Sequence, residues 1–482
     1  MERFINLWNI EGKDVKEISE LIIDHNYIEF HRRNWYWPLP VEFVGINNGQ
    51  RIKVFTDGMS DFQKYKSLED AYTFKVKYIL IQDNDFEVGR EVKGIKSLSF
   101  FIPELVEWLN VYTVCLHRNT QGKQLIIEKD VEEIILNKNI PEIKIVFKTC
   151  NSIAESAYKD YNSITLSKLP MIEINYNDEV DIFTVRNDIK TVIRFFSLLI
   201  GYSSYIDSIV LKYSNSKTSR LYINEDFSYN KTRSSALECM RTKYDNQNID
   251  VKKLFGGWYK FCNEEKYKFI IKMFFDNNQN KEYFAEDIIV QYVKILEGYY
   301  LRENNEEEKS RNMKKEIEKV GKEIKKLIFT DEGKPIFEQV LEKADIDWKY
   351  NSAHAQDIAN WIANGYLSRK GLSNKLKELD ERFFSVIANN SDYIRGFDKK
   401  NIDNWNVYKA IVDTRNYYSH YKADDKGLMN FNQICEAIKC MKALIVMIFY
   451  SKMEMPIDNI KKVISIDPEF RMNTMFLKEK RE

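Results

Sequence analysis

Histidine, cysteine and proline are scarce in this 482-residue chain, numbering five, six and eight. The cysteines (Cys115, Cys150, Cys239, Cys262, Cys435 and Cys440) form no Cys-x-x-Cys pair, and no zinc-ligand spacing can be assembled from them and so few histidines. A disulfide framework and a zinc centre are thus excluded, and neither metal nor cofactor is expected. The motifs Gly-x-x-x-x-Gly-Lys-Ser/Thr, Gly-x-Gly-x-x-Gly, His-Glu-x-x-His and Gly-x-Ser-x-Gly are also missing. That argues against phosphate-loop hydrolases, dinucleotide enzymes, zinc peptidases and serine hydrolases. No apolar run reaches membrane-spanning length, the longest being Ala443 to Tyr450, so no membrane partner is expected. An excess of either charge is lacking too, since 73 basic side chains balance 73 acidic ones. Nothing announces a sequence-blind DNA binder, whereas an enzyme that holds RNA transiently needs only a local basic cleft. The opening Met-Glu-Arg-Phe-Ile-Asn-Leu-Trp shows no basic-then-apolar signal pattern, and with reduced thiols a cytoplasmic location is expected.

What is present is ample apolar material, 44% of residues, with 14% aromatic and 30% charged. That is enough to offset chain entropy, and the length exceeds what one core usually serves. Two domains are expected, in an α+β arrangement: β-rich over 1–233 and all-helical over 234–482. Strands are predicted at Glu42 to Gly45, Arg51 to Thr56, Tyr72 to Gln82, Gln124 to Glu128, Glu142 to Lys148 and Ile206 to Tyr213. These segments are short, β-branched or aromatic, and several alternate polar with apolar. Asn47-Asn-Gly, Asp57-Gly and Asn119-Thr-Gln-Gly read as turns. Two helices are predicted within this half, Lys13 to Asp24 and Asp181 to Gly201, the second ending on a glycine stop.

From about Ser234 the period becomes helical. Lys281 to Leu327 reads as one long helix or two, its second half a charge run from Glu303 suited to a solvated face. Further helices are predicted at Pro335 to Lys343, Ala353 to Arg369, Ser373 to Ala388, Asn401 to Tyr421 and Asn430 to Lys452.

The histidines carry what chemistry there is. His25, His31, His117 and His354 have no chemical partner nearby in sequence, and structural or solvent roles fit them. His420 differs, because it closes a helix whose core face is already supplied by Val407, Ala410, Ile411 and Tyr418. At about 100° per residue, Asn416 and His420 lie roughly 40° apart on that helix, as do Arg415 and Ser419. Arg415 and His420 diverge by about 140°, which two copies of the helix around a two-fold axis would resolve. A histidine at a helix C-terminus has its protonated form favoured. Near neutrality it can take a proton from a ribose 2′-hydroxyl or give one to a leaving 5′-oxygen. A permanently charged guanidinium can hold the non-bridging phosphate oxygens, and Asn416 can orient the imidazole or touch phosphate. On spacing alone, a surface arginine and a C-capping histidine fit the same residues.

Arg415-Asn-Tyr-Tyr-Ser-His420, preceded by Tyr408-Lys-Ala-Ile-Val-Asp-Thr, resembles the catalytic helix of the HEPN ribonucleases, and specifically of the ApeA-like group of bacterial anti-phage defence proteins. Ile288 to Arg302, with Ile295-Leu-Glu-Gly-Tyr-Tyr, resembles the early HEPN helix that carries a Glu at the position of Glu297. Phe43-Val-Gly45 and Leu98-Ser-Phe-Phe-Ile-Pro-Glu-Leu-Val-Glu-Trp108 resemble the ApeA β-rich N-terminal domain. The resemblance implies a HEPN helical bundle acting as a homodimer, an RNA endonuclease of abortive infection with transfer RNA as one candidate substrate. Arg415 and His420 would be catalytic and Asn416 would support them, with Glu297, Ser419, Tyr421 and Lys422 in supporting or RNA-contacting roles. The N-terminal domain would sense or regulate, answering a phage-derived trigger. Some HEPN toxins are silenced by adenylylation of a Tyr two residues after the histidine; here Lys422 holds that position and Tyr421 adjoins His420.

A non-catalytic HEPN module that binds nucleotide or RNA, or scaffolds a partner, uses the same Arg415 and His420 as phosphate ligands. A carbohydrate or peptide binder finds support only in aromatics such as Trp35 and Trp37, which ordinary strand packing also explains.

Overall fold

Six antiparallel strands open the chain in the computed structural model and close on themselves. It describes residues 2–477 apart from 11–15, 24–27, 33–41, 48, 64–70, 84–91, 110–113, 120–121, 126–132, 140, 156–161, 202–203, 205, 207–208, 224–239, 245–249, 280–283, 305–318, 321, 324–325, 328–329, 344–370, 397–404 and 421–427. The strands are β1 (Glu2–Ile10), β2 (Lys16–Ile23), β3 (Ile28–Arg32), β4 (Glu42–Asn47), β5 (Gln50–Gln63) and β6 (Ala71–Asp83). Pairing runs β1-β2-β3-β6-β5-β4 and back to β1, a closed barrel. Its interior is filled by alternate residues of these strands, among them Trp8, Leu21, Phe30, Phe43, Val54 and Ile79. Trp8 donates from Nε1 to the Ser19 carbonyl at 3.0 Å. Its ring lies so close to β4 that a Cβ on Gly45 would meet it at 2.7 Å, so the barrel needs glycine there.

Two expectations fail in this barrel. The segment predicted as the helix Lys13 to Asp24 is strand β2 wherever it is described. Ile18, Leu21 and Ile22 suit a helical period equally well. Pairing to β1 on one side and β3 on the other decides the matter, with Leu21 and Ile23 filling the core. Asp57-Gly58 is not a turn either; β5 runs through it, and register shifts against β6 absorb the irregular residues.

The same sheet continues outward from β6. Its further elements are β7 (Ile95–Phe101), α1 (Glu104–Trp108), β8 (Val114–Asn119), β9 (Gly122–Leu125), β10 (Ile134–Asn137), β11 (Glu142–Glu155), β12 (Asn162–Val180), α2 (Ile182–Ile200), β13 (Ile209–Tyr213) and β14 (Thr218–Ile223). The order from β6 is β14-β13-β7-β12-β11-β10, with the β8–β9 hairpin paired to β12. Helix α2 begins where the Asp181 side chain accepts from the Thr184 amide at 2.9 Å, and it ends on Gly201 at φ 99°.

Downstream come α3 (Val251–Asn263), α4 (Glu265–Gln279), α5 (Ala285–Glu303), α6 (Gly333–Lys343), α7 (Leu372–Arg382), α8 (Val386–Asn389), α9 (Ser391–Arg395), α10 (Val407–His420), α11 (Phe431–Lys452), α12 (Ile457–Ile466) and α13 (Arg471–Thr474). A strand-rich half thus precedes a helical half, as expected. Helix 353–369 and residues past 304 in the charge run lie mainly or wholly outside the described residues, as do His25, His354, Trp35 and Trp37. The helix expected from Ser373 to Ala388 breaks into α7 and α8, with Phe384 and Ser385 at positive φ. Asp380 accounts for the break: its carboxylate accepts from the amides of Ile387 and Ala388, both at 2.9 Å, and so starts a new helix.

Two compact units result, and they do not follow a single cut between 233 and 234. The first comprises Met1–Glu264, Phe275–Lys281 and Val446–Glu482; the second comprises Glu265–Phe274 and Glu282–Ile445. The C-terminal residues join the first unit through the end of α2. There Tyr450 and Arg241 both donate to the Leu198 carbonyl, and Thr242 donates to that of Leu199. Buried Arg241 also ion-pairs with Asp467 and, at 3.1 Å, with Glu469. These contacts satisfy helix-end carbonyls that no intrahelical bond reaches.

Candidate functional site

Helix α10 belongs to the second unit and packs against α5 and α7. It starts where the Asn406 side chain accepts from the Lys409 amide at 3.1 Å. Val407, Tyr408, Ala410, Ile411 and Thr414 form its buried stripe. Tyr408 donates to Asp380 at 2.7 Å, anchoring the helix on α7. Burial pushes the Asp380 carboxyl up, while its hydrogen bonds to Ile387, Tyr408 and Ala388 pull the other way. Burial, then the Asp380 charge, pushes the Tyr408 hydroxyl up as well.

The last turns of α10 carry the polar residues singled out in the sequence. Arg415 reaches toward α5, where its Nη2 lies 3.7 Å from Glu297 Oε2. Its Nη1 donates to Asn416 Oδ1 at 2.9 Å. Arg415, Asn416 and Glu297, separated by more than a hundred residues of chain, thus come together. The Arg415 and Glu297 side chains keep 18% and 29% of their surface exposed, so the group is accessible yet partly desolvated. Ser419, one turn beyond Arg415, has a buried Oγ with no hydrogen-bond partner among the described residues, and Arg415 Nε is in the same condition.

His420 is the final residue of α10, and its side chain lies outside the described residues, as do Tyr421 and Lys422 entirely. The chain re-enters the description on the same helix: the Met429 amide donates to Thr414 Oγ1 at 3.0 Å. Asn430 and Gln433 then cap α11 reciprocally, at 2.8 and 3.0 Å. Thr414 and Asp380 anchor α10, through Met429 and Tyr408, and neither stood out in the sequence. Only their place on apolar helix faces, where a polar residue needs a partner, hinted at them.

Tyr417 and Tyr418 meet edge to face with centroids 5.1 Å apart. Burial, then Glu286 and Tyr417, pushes the Tyr418 hydroxyl up. His31, one of the other histidines, is a fully buried residue of β3 within 3.1 Å of Glu29. His117 lies in β8, its side chain outside the described residues. Among the described residues, no three or more His, Cys, Asp or Glu side chains gather to hold a metal, and no helix is long and apolar enough to cross a membrane.

Comparison with known families divides the chain in two. Residues 290–458 match the family model for Apea-like HEPN, and residues 47–258 match that for ApeA N-terminal domain 1. The second match runs past residue 233 into α3. No curated relative and no solved structure matches the chain.

Proposed function

The chain belongs to the ApeA-like HEPN family, and from that premise we propose that it is a metal-independent RNA endonuclease of an abortive-infection system. The observation that carries this reading is the guanidinium of Arg415, hydrogen-bonded to Asn416 and facing Glu297, five residues before His420. A fixed cation and a residue able to move protons are what metal-independent phosphodiester cleavage uses. His420 of one copy takes the 2′-hydroxyl proton, the 2′-oxygen attacks the adjacent phosphorus, and the 5′-oxygen leaves with a proton given by the protonated His420 of the other copy. Arg415 carries the charge that builds on the non-bridging oxygens. The products are a 2′,3′-cyclic phosphate and a 5′-hydroxyl, and DNA, lacking the nucleophile, is spared.

Because Arg415 and His420 diverge by about 140° on one helix, a second copy supplies the complementary pair across a two-fold axis. The enzyme acts in the cytoplasm on cellular RNA, with transfer RNA the first substrate class to try. The strand-rich N-terminal domain senses or regulates, in response to a phage-derived trigger.

The test is cleavage of RNA in EDTA by wild type, Arg415→Ala and His420→Ala, with the termini identified chemically. Loss of at least about 1,000-fold in both variants, with folding intact, is expected for groups acting in one transition state. RNA binding without cyclic ends would instead identify a non-catalytic binding module, and EDTA-resistant cleavage by His420→Ala would refute the assignment.

A further inference from the structure

Among the described residues of the second unit, only two buried side-chain nitrogen or oxygen atoms lack a hydrogen-bond partner, and they are Arg415 Nε and Ser419 Oγ. They belong to residues one turn apart on the same face of α10. Fourteen more such atoms lie among the described residues of the first unit, and this pair stands out because both belong to the turn of α10 that carries the candidate site. A helical serine can return its hydroxyl to the carbonyl four residues back, and Ser419 does not.

The guanidinium narrows the reason. Its Nη1 is spent on Asn416. Nε and Nη2, which form one edge of the planar group, make no hydrogen bond among the described residues. Nη2 lies 3.7 Å from Glu297 Oε2, near enough to share charge and too far for a hydrogen bond. This edge is the fork that matches two oxygens of a phosphate. Among the described residues, three donors (Nε–H, Nη2–H and the Ser419 hydroxyl) are therefore uncommitted on this turn of α10.

We propose that the Nε–Nη2 edge of Arg415 and the hydroxyl of Ser419 form an oxyanion subsite that takes one backbone phosphate of the RNA. The identity of the ligand rests on the ribonuclease reading above. An oxyanion accepts from all three donors at once, and the incoming phosphate takes the edge that Glu297 now faces. Ser419 is then a substrate-contacting residue, and its unpartnered hydroxyl is a cost kept for function.

That cost separates the subsite from a structural role. In the full-length protein, Ser419→Ala removes an orphan hydroxyl and installs a better helix former, so its melting temperature should equal or exceed that of wild type. Cleavage should nevertheless fall about 100-fold, as for loss of one oxyanion donor. An RNA oligonucleotide carrying an Rp or an Sp phosphorothioate at the position wild type cuts reads the contact directly. Wild type should prefer one diastereomer, Ser419→Ala should lose the preference, and Ser419→Thr should restore it. Wild-type rate and preference in Ser419→Ala would overturn the subsite and mean that the hydroxyl holds only water. A lower melting temperature with a matching loss of rate would overturn it in favour of packing.

Titration calorimetry with inorganic phosphate keeps the two claims apart. If wild type cuts no RNA but binds phosphate, and both Arg415→Ala and Ser419→Ala abolish that binding, the subsite stands and the ribonuclease assignment falls. If His420→Ala abolishes cleavage while Ser419→Ala behaves as wild type in both assays, the assignment stands and the subsite falls.

Discussion

In the N-terminal barrel, Trp8 is fully buried, its indole N–H bonded to Ser19 and its ring pressed on Gly45. At the end of α10, Arg415 is half-buried with one edge of its guanidinium uncommitted, and Ser419 hides a hydroxyl that bonds to nothing described. The barrel closes around a cluster of apolar side chains, with Arg32 laid over the Phe43 ring and a buried Lys53–Glu42 ion pair, so most of its energy comes from burial and shape. The helix end keeps polar groups at a cost, supported by buried anchors such as Asp380–Tyr408 and Thr414–Met429. The two regions thus differ in what their buried groups do, and the contrast can be broken from either side.

The largest effect on stability is expected from Trp8→Ala. Emptying the centre of the barrel should cost about 3–5 kcal/mol, read as a fall in the denaturation midpoint. RNA cleavage at a permissive temperature, corrected for the folded fraction, should change little. A selective loss of cleavage rate at full folding would show that the barrel feeds into the chemistry after all.

Glu297→Gln should do the opposite. It keeps the shape and removes the charge that faces Arg415. Cleavage should fall about tenfold, a change of about 1.4 kcal/mol in the barrier, with the melting temperature unmoved. A shift in melting temperature with unchanged kcat would make the pair a structural ion pair instead.

The smallest effect concerns Asp188, which accepts from Tyr176 at 2.9 Å and Tyr259 at 3.0 Å inside the first unit. Burial raises its pKa, and the two hydroxyls pull it back only in part. A raised folded pKa means that this group's contribution is complete below the ordinary aspartate range. It is lost as pH rises through the raised value. Asp188→Asn should flatten the part of the melting profile that lies above the ordinary aspartate range; an unchanged slope would assign it to other groups.

Local periodicity made much of this legible. The alternation in β4, β5, β6 and β11 marked strands, and Asp181 with Gly201 bracketed α2 to within a residue. Asn416 beside Arg415 was likewise visible, because residues adjacent on a helix end stay adjacent however the chain packs. Strand β2 was not legible, since its apolar spacing fits two periods and its neighbours on both sides settle it. Nor was the break at Phe384, where Asp380 competes with the helix for backbone amides. Arg415 and Glu297 are far apart in sequence, and only the family resemblance placed a glutamate there.

The sequence by itself determined the strand-rich and helical halves, the helix that ends on His420, and the polar residues along its last turns. Side-chain period and capping chemistry act within a few residues, so they survive without a tertiary context. The tertiary structure alone decided that the barrel closes, that residues 446–482 return to the first unit through Arg241 and Tyr450, and that Arg415 of α10 comes to face Glu297 of α5. Each of those depends on which distant group arrives to satisfy a buried donor or acceptor, and no local pattern encodes that arrival.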